Sequence, residues 1–144
     1  MAELLQVYAW ATAAADHFDL SQRTRFVLQL CCEEAVSNVI RHGYKAPPEA
    51  GARIGLTLSC TDDAVLLTIE DHGIAFDPTG HATPAMPTSL DDAQIGGMGI
   101  HLMRQQVDAM TYERRGDLNR LTLRIARAAQ RSTEPTSERS RTAM

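Results

Sequence analysis

The chain has 144 residues, 44% of them apolar and 22% charged, with a net charge of −4. That length fits one domain with one proper core. The acidic balance argues against general nucleic-acid binding, which needs a basic face. No apolar run is long enough to cross a bilayer, and no basic segment leads into an apolar N-terminal core as in a secretory signal. Three cysteines, Cys31, Cys32 and Cys60, are odd in number, sit among apolar neighbours and lack metal-type spacing. Free thiols in a reducing cytosol explain them, so a cytoplasmic protein is expected.

Residues 2–18 read as an alanine-rich helix with an apolar stripe of Leu4, Leu5, Tyr8, Ala11, Ala15 and Phe18. Residues 19–22 break it, and Ser21 is placed to cap the next helix. That helix spans residues 22–42 and stops at Gly43, a natural C′ residue. It is apolar nearly all round, with Phe26, Val27, Leu28, Leu30, Val36, Val39 and Ile40, which predicts a central, buried position. Into it the chain sets Glu33, Glu34, Asn38 and His42. Glu34 and Asn38 are four apart and lie about 40° from each other around the axis, with Glu33 pointing roughly the other way. Burying a carboxylate and a carboxamide without partners is costly. Either they tie down a neighbouring loop, or they face a site holding a cation, water or phosphate.

Residues 44–51 form a loop with Pro47 and Pro48 at its centre. Residues 53–60 alternate Ile54, Leu56, Leu58 and Cys60 on one face, and residues 64–70 alternate Val65, Leu67 and Ile69. With the turn Thr61-Asp62-Asp63 between them they predict a β-hairpin. At its end Asp71-His72-Gly73 can aim a carboxylate into a cleft, although Asp-x-Gly is also a common turn. Residues 77–94 are polar and irregular, and too long for a plain connector. Such loops are lids, binding loops or disordered segments, and this one runs into Gly96, Gly97 and Gly99.

Those glycines open a helix predicted over residues 98–110, with Ile100, Leu102, Met103 and Val107 as its apolar positions. A glycine-rich helix start leaves the first amide N–H groups bare at the positive end of the dipole, an arrangement that binds phosphate. Taken alone it is equally a flexible loop before a helix. A strand follows over residues 111–115, then a turn over 116–119 and a last strand over 120–126 carrying Leu121, Leu123 and Ile125. The polar stretch 128–144 has no periodicity and reads as a disordered tail, which leaves residues 1–127 as the domain.

Three segments, EEAVSNVIRHGY, DHGIAFDP and GGMGIHLMRQQVD, occur in that order. They resemble the N, G1 and G2 boxes of the ATP-binding superfamily of gyrase, the ninety-kilodalton heat-shock chaperones, histidine kinases and mismatch-repair ATPases. The HGY ending and the closing YERRGDLNRLTLR are most similar to its single-domain branch, the anti-sigma factor serine/threonine kinases of bacterial partner-switching systems. The resemblance covers residues 20–127. It implies a two-layer α/β sandwich of Bergerat type, with helices on one face of a mixed, mostly antiparallel sheet, and it implies ATP and Mg²⁺ as ligands. By position, Asn38 coordinates Mg²⁺, Glu34 is the general base, and Asp71 accepts a hydrogen bond from the adenine amino group. Gly73 lets the backbone pass close to the base, and Gly96, Gly97 and Gly99 bring amides to the phosphates.

Two departures stand out. The second glycine of the G1 box is Ala75, whose methyl could narrow the nucleotide slot. Family members usually carry a strand before the first helix that helps form a homodimer, and here the chain begins almost directly in helix. Either a sheet edge is left open or a homodimer forms differently.

The function implied is transfer of the ATP γ-phosphoryl group to serine or threonine of a small anti-sigma factor antagonist. In another binding mode the protein would hold a sigma factor. Retention of Glu34 favours this reading, since nucleotide binding alone needs no base. The alternative is an ATP-binding regulatory module that sequesters a partner without phosphoryl transfer. A detached histidine-kinase catalytic domain is a third reading, but His17 and His42 sit at helix ends and mark no phosphoacceptor helix. His72, His81 and His101 are too dispersed for a metal site, and Arg104 could reach phosphate or solvent.

Overall fold

A computed structural model describes residues 2–43, 53–80 and 97–127. The loop 44–51, most of the long segment before Gly97 and the tail 128–144 lie outside the described residues. Helix α1 spans Ala2–His17 and α2 spans Gln22–Asn38. Strands β1 (Ile54–Cys60) and β2 (Ala64–Asp71) form the expected hairpin. Helix α3 (Gly97–Gln106) is followed by β3 (Ala109–Arg115) and β4 (Leu118–Ala126).

The break between the first two helices is a Schellman ending. Asp19 takes a left-handed φ of 51°. Leu20 N–H reaches back to Ala15 O at 3.0 Å and Asp19 N–H to Asp16 O at 3.1 Å, which satisfies two carbonyls of the last turn. Ser21 caps α2 by accepting from Thr24 N–H at 3.3 Å, as its position predicts. The far end of α2 differs from expectation. The α-helical pattern stops at Asn38 and passes into a π-helical turn, Val39–Gly43. Such turns are rare and are frequent at functional sites.

The sheet has four strands in the order β1-β2-β4-β3, every neighbouring pair antiparallel among the described residues. Alternation then separates two faces. Leu67 faces Leu58 on one side and Leu123 on the other, and Leu123 faces Met110. These side chains meet Val27, Leu28, Cys31, Ala35 and Met103 of the helices in one core. On the other face Thr57, Thr68, Thr122 and Thr111 line up across all four strands. The helices therefore cover one face only, in the two-layer arrangement expected.

Of the α1 stripe, Ala11 and Ala15 are buried as the spacing predicts, but Leu5 is 72% exposed and Tyr8 50% exposed, and Val7 is buried in their place. Small side chains let α1 lie close on α2, so alanine rather than bulk marks the contact. On α2, Phe26 is 61% exposed, so that helix is not buried all round.

Candidate nucleotide cleft

Residues of α2, β2, α3, β3 and β4 line one cleft. Asn38 and Asp71, 33 positions apart in sequence, both line it. Its other walls are largely apolar, with Ile69, Ile74, Phe76, Pro78, Met103 and Leu121 among them. A cleft of apolar walls with a few polar groups is the common form of a small-molecule site.

Asn38 is 7% exposed. Its Oδ1 is buried and has no hydrogen-bond partner among the described residues. An orphaned acceptor costs free energy unless a ligand meets it. A neutral hard oxygen of this kind fits Mg²⁺, which takes few protein ligands and keeps waters and phosphate oxygens. No cluster of three His, Cys, Asp or Glu is present among the described residues.

Glu34 is not a wall of that cleft. It lies one turn before Asn38 and is pressed against Gly99 of α3. A Cβ added at Gly99 would stand 1.9 Å from Glu34 Oε2 and 2.8 Å from its Cδ. The absence of a side chain at Gly99 is what admits the carboxylate. Gly97 begins α3 and Gly99 lies in its first turn, so the glycines do open the helix. A negative group there sits in the favourable field of the helix start. Gly96 lies outside the described residues.

Asp71 ends β2 and is 6% exposed. Its Oδ1 accepts from Gly73 N–H at 2.8 Å, closing the Asp-x-Gly turn on itself. The same oxygen accepts from Asn119 Nδ2 at 3.0 Å. Asn119 also donates to Gly73 O at 3.3 Å and Ile74 O at 3.0 Å. Its Oδ1 accepts from Arg114 Nη1 at 2.9 Å and from the Tyr112 hydroxyl. Arg114 Nη1 donates to Gly73 O as well, at 2.8 Å.

The sequence pattern assigns Asn119 to a turn and singles out neither Tyr112 nor Arg114. The β3–β4 connection has only two residues, Gly116 and Asp117, with Gly116 at φ 57° supplying the left-handed backbone such a hairpin needs. Leu118 and Asn119 are already strand. The signal was available: stepping back by two from Leu121, Leu123 and Ile125 puts residue 119 on their face.

Ala75 is exposed and is not a wall of the cleft. Arg104 turns to protein, with Nη2 donating to Pro78 O at 2.6 Å. Cys31 and Cys32 are free and buried, as expected, and burial pushes both thiols up to about 12. No helix among the described residues is long and apolar enough to cross a membrane.

Over 131 residues the chain is 42% identical to the serine/threonine-protein kinase BtrW of Bordetella bronchiseptica, covering 84% of this chain and 91% of that protein. It is 35% identical over 80 residues to the anti-sigma F factor of Priestia megaterium, covering 56% of this chain and 54% of that one. The serine-protein kinase RsbW of Staphylococcus epidermidis is 31% identical over 87 residues, or 58% of this chain and 54% of that one. A blue-light activated histidine kinase of Erythrobacter litoralis shares the fold at a TM-score of 0.56 and 17% identity, covering 78% of this chain and 33% of that one. Residues 1–125 match the model of the histidine kinase-like ATPase domain, and the chain belongs to that family.

Proposed function

We propose that this chain is an ATP-dependent serine/threonine protein kinase of a partner-switching system, acting in the cytoplasm. Its substrate is a small anti-sigma factor antagonist, and in a second binding mode it holds a sigma factor. The observation that carries the reading is the convergence on one cleft of Asn38, with its unpaired oxygen, and Asp71. The relatives named as serine/threonine kinases and anti-sigma factors support the choice of chemistry.

The roles follow from chemistry. Asp71 accepts from the adenine amino group, and Gly73 lets the backbone lie close to the base. Asn38 holds Mg²⁺ through Oδ1, and the ion supplies charge neutralisation to the phosphates when bound. The amides of Gly96, Gly97 and Gly99 would bind the phosphate oxygens. Glu34 takes the proton of the substrate hydroxyl as its oxygen bonds to the γ-phosphorus. The bond from that phosphorus to the β–γ bridging oxygen breaks, and ADP leaves with the electron pair. Catalysis is then positioning plus electrostatics.

The test is incubation with ATP, Mg²⁺ and the cognate antagonist. Phosphoserine or phosphothreonine should appear, and Glu34→Ala should slow its appearance by about 10²–10⁴-fold. A Glu34→Ala protein that transferred at full rate would remove the role given to that residue. Tight ATP binding with no transfer to any antagonist would favour sequestration without catalysis instead.

A further inference from the structure

We infer that Asn119 decides which purine the cleft accepts, by fixing the orientation of the Asp71 carboxylate; this rests on the nucleotide reading above. Asn119 is 5% exposed and stands directly across from Asp71 in the register of β2 and β4. A carboxamide can in principle face either way. Here its direction is set by Arg114, which carries donors only and can accept nothing. Oδ1 therefore turns to the Arg114 guanidinium at 2.9 Å, with the Tyr112 hydroxyl as second donor. Nδ2 is thereby turned to Asp71 Oδ1 and to the carbonyls of Gly73 and Ile74. Flipping the amide would set an NH₂ group against a guanidinium and an oxygen against three acceptors.

The polarity runs one way, from Arg114 through Asn119 to Asp71. Asp71 Oδ1 receives two donors, Gly73 N–H and Asn119 Nδ2. Held through that oxygen, the carboxylate is fixed in orientation, and Oδ2, an acceptor like any carboxylate oxygen, is the atom offered to a ligand. A purine with an amino group at C6 gives it a proton. A purine with a carbonyl there gives it a lone pair, and both acceptors stay unpaired. Asn119 is thus a positioning residue for base choice, acting through Asp71. Arg114, reaching over from the edge strand, is what gives the relay its direction.

The experiment measures binding of ATP and GTP analogues with a non-transferable γ-phosphate, each with Mg²⁺, to the full chain by calorimetry. The wild type should prefer the adenine nucleotide. Asn119→Asp keeps the shape and removes the donor, and Asn119→Ala removes the hub. Each should narrow the adenine-to-guanine affinity ratio by about tenfold or more, with guanine binding unchanged or improved. A purely structural role would weaken both nucleotides together and leave the ratio alone. An unchanged ratio in folded Asn119 variants, or no adenine preference in the wild type, overturns the inference. Should both variants fail to fold, Tyr112→Phe removes one of the two Oδ1 donors and should narrow the ratio less; an unchanged ratio there is equally fatal. A wild type that binds neither nucleotide defeats the nucleotide reading itself, a distinct result.

Discussion

Replacing Gly99 by alanine separates stability from catalysis in this protein. The new Cβ would stand 1.9 Å from Glu34 Oε2, where ordinary contact begins at 3.4 Å, so the carboxylate must retreat by about 1.5 Å. The obstructing atoms are the far end of a flexible side chain, and a displaced or off-rotamer glutamate costs about 0.5–1.5 kcal/mol. Alanine for glycine within a helix returns up to about 1 kcal/mol. The two nearly cancel, and the melting temperature should stay within about 3 °C of wild type. Catalysis has no such offset. A misplacement of 1 Å at a reacting group costs about 100-fold in rate, and a general base is worth about 10²–10⁴-fold in all. Phosphoryl transfer from γ-labelled ATP to the antagonist should therefore fall by about 100-fold or more in Gly99→Ala. The decisive comparison is a double-mutant cycle: in a Glu34→Ala background the second substitution should cost little, because the group it displaces is gone. Full transfer by Gly99→Ala, or an equal loss in both backgrounds, would refute the link between this contact and the chemistry.

Three further outcomes follow from the same geometry. Asn38→Ala removes a buried oxygen that lacks a partner and whose burial costs about 1–3 kcal/mol. Its melting temperature should equal or exceed wild type while the Mg²⁺-dependent part of ATP affinity is lost; a marked drop in thermal stability would show that Asn38 is structural. Leu67→Ala, at a fully buried position between β1 and β4, should destabilise by about 2–5 kcal/mol in urea unfolding, and a loss below 1 kcal/mol would misplace the core. Burial raises the Cys31 and Cys32 thiols from the ordinary 9.0 to about 12, so the folded state retains protons that the unfolded chain releases. Stability is complete below about pH 9 and should fall above it, by up to about 1.4 kcal/mol per pH unit for each thiol. Urea midpoints between pH 8.5 and 10.5 test this, and an equal slope in Cys31→Ala/Cys32→Ala would contradict it.

The sequence by itself determined whatever depends on near neighbours along the chain. Ser21 as a cap, the hairpin of β1 and β2, the glycine start of α3 and the shared face of Glu34 and Asn38 are all matters of spacing over a few residues. Helical and strand periods express that spacing directly. Even there the period does not choose between adjacent residues: it points to Tyr8, and Val7 fills the core instead. Only the tertiary structure decided the pairing of Asn119 with Asp71, 48 positions apart, because it depends on a two-residue turn and on the register of β4 against β2. A slip of one residue would have sent Asn119 to the open face. The contact of Glu34 with Gly99 likewise arises from packing two helices, and no local pattern encodes how closely two helices approach.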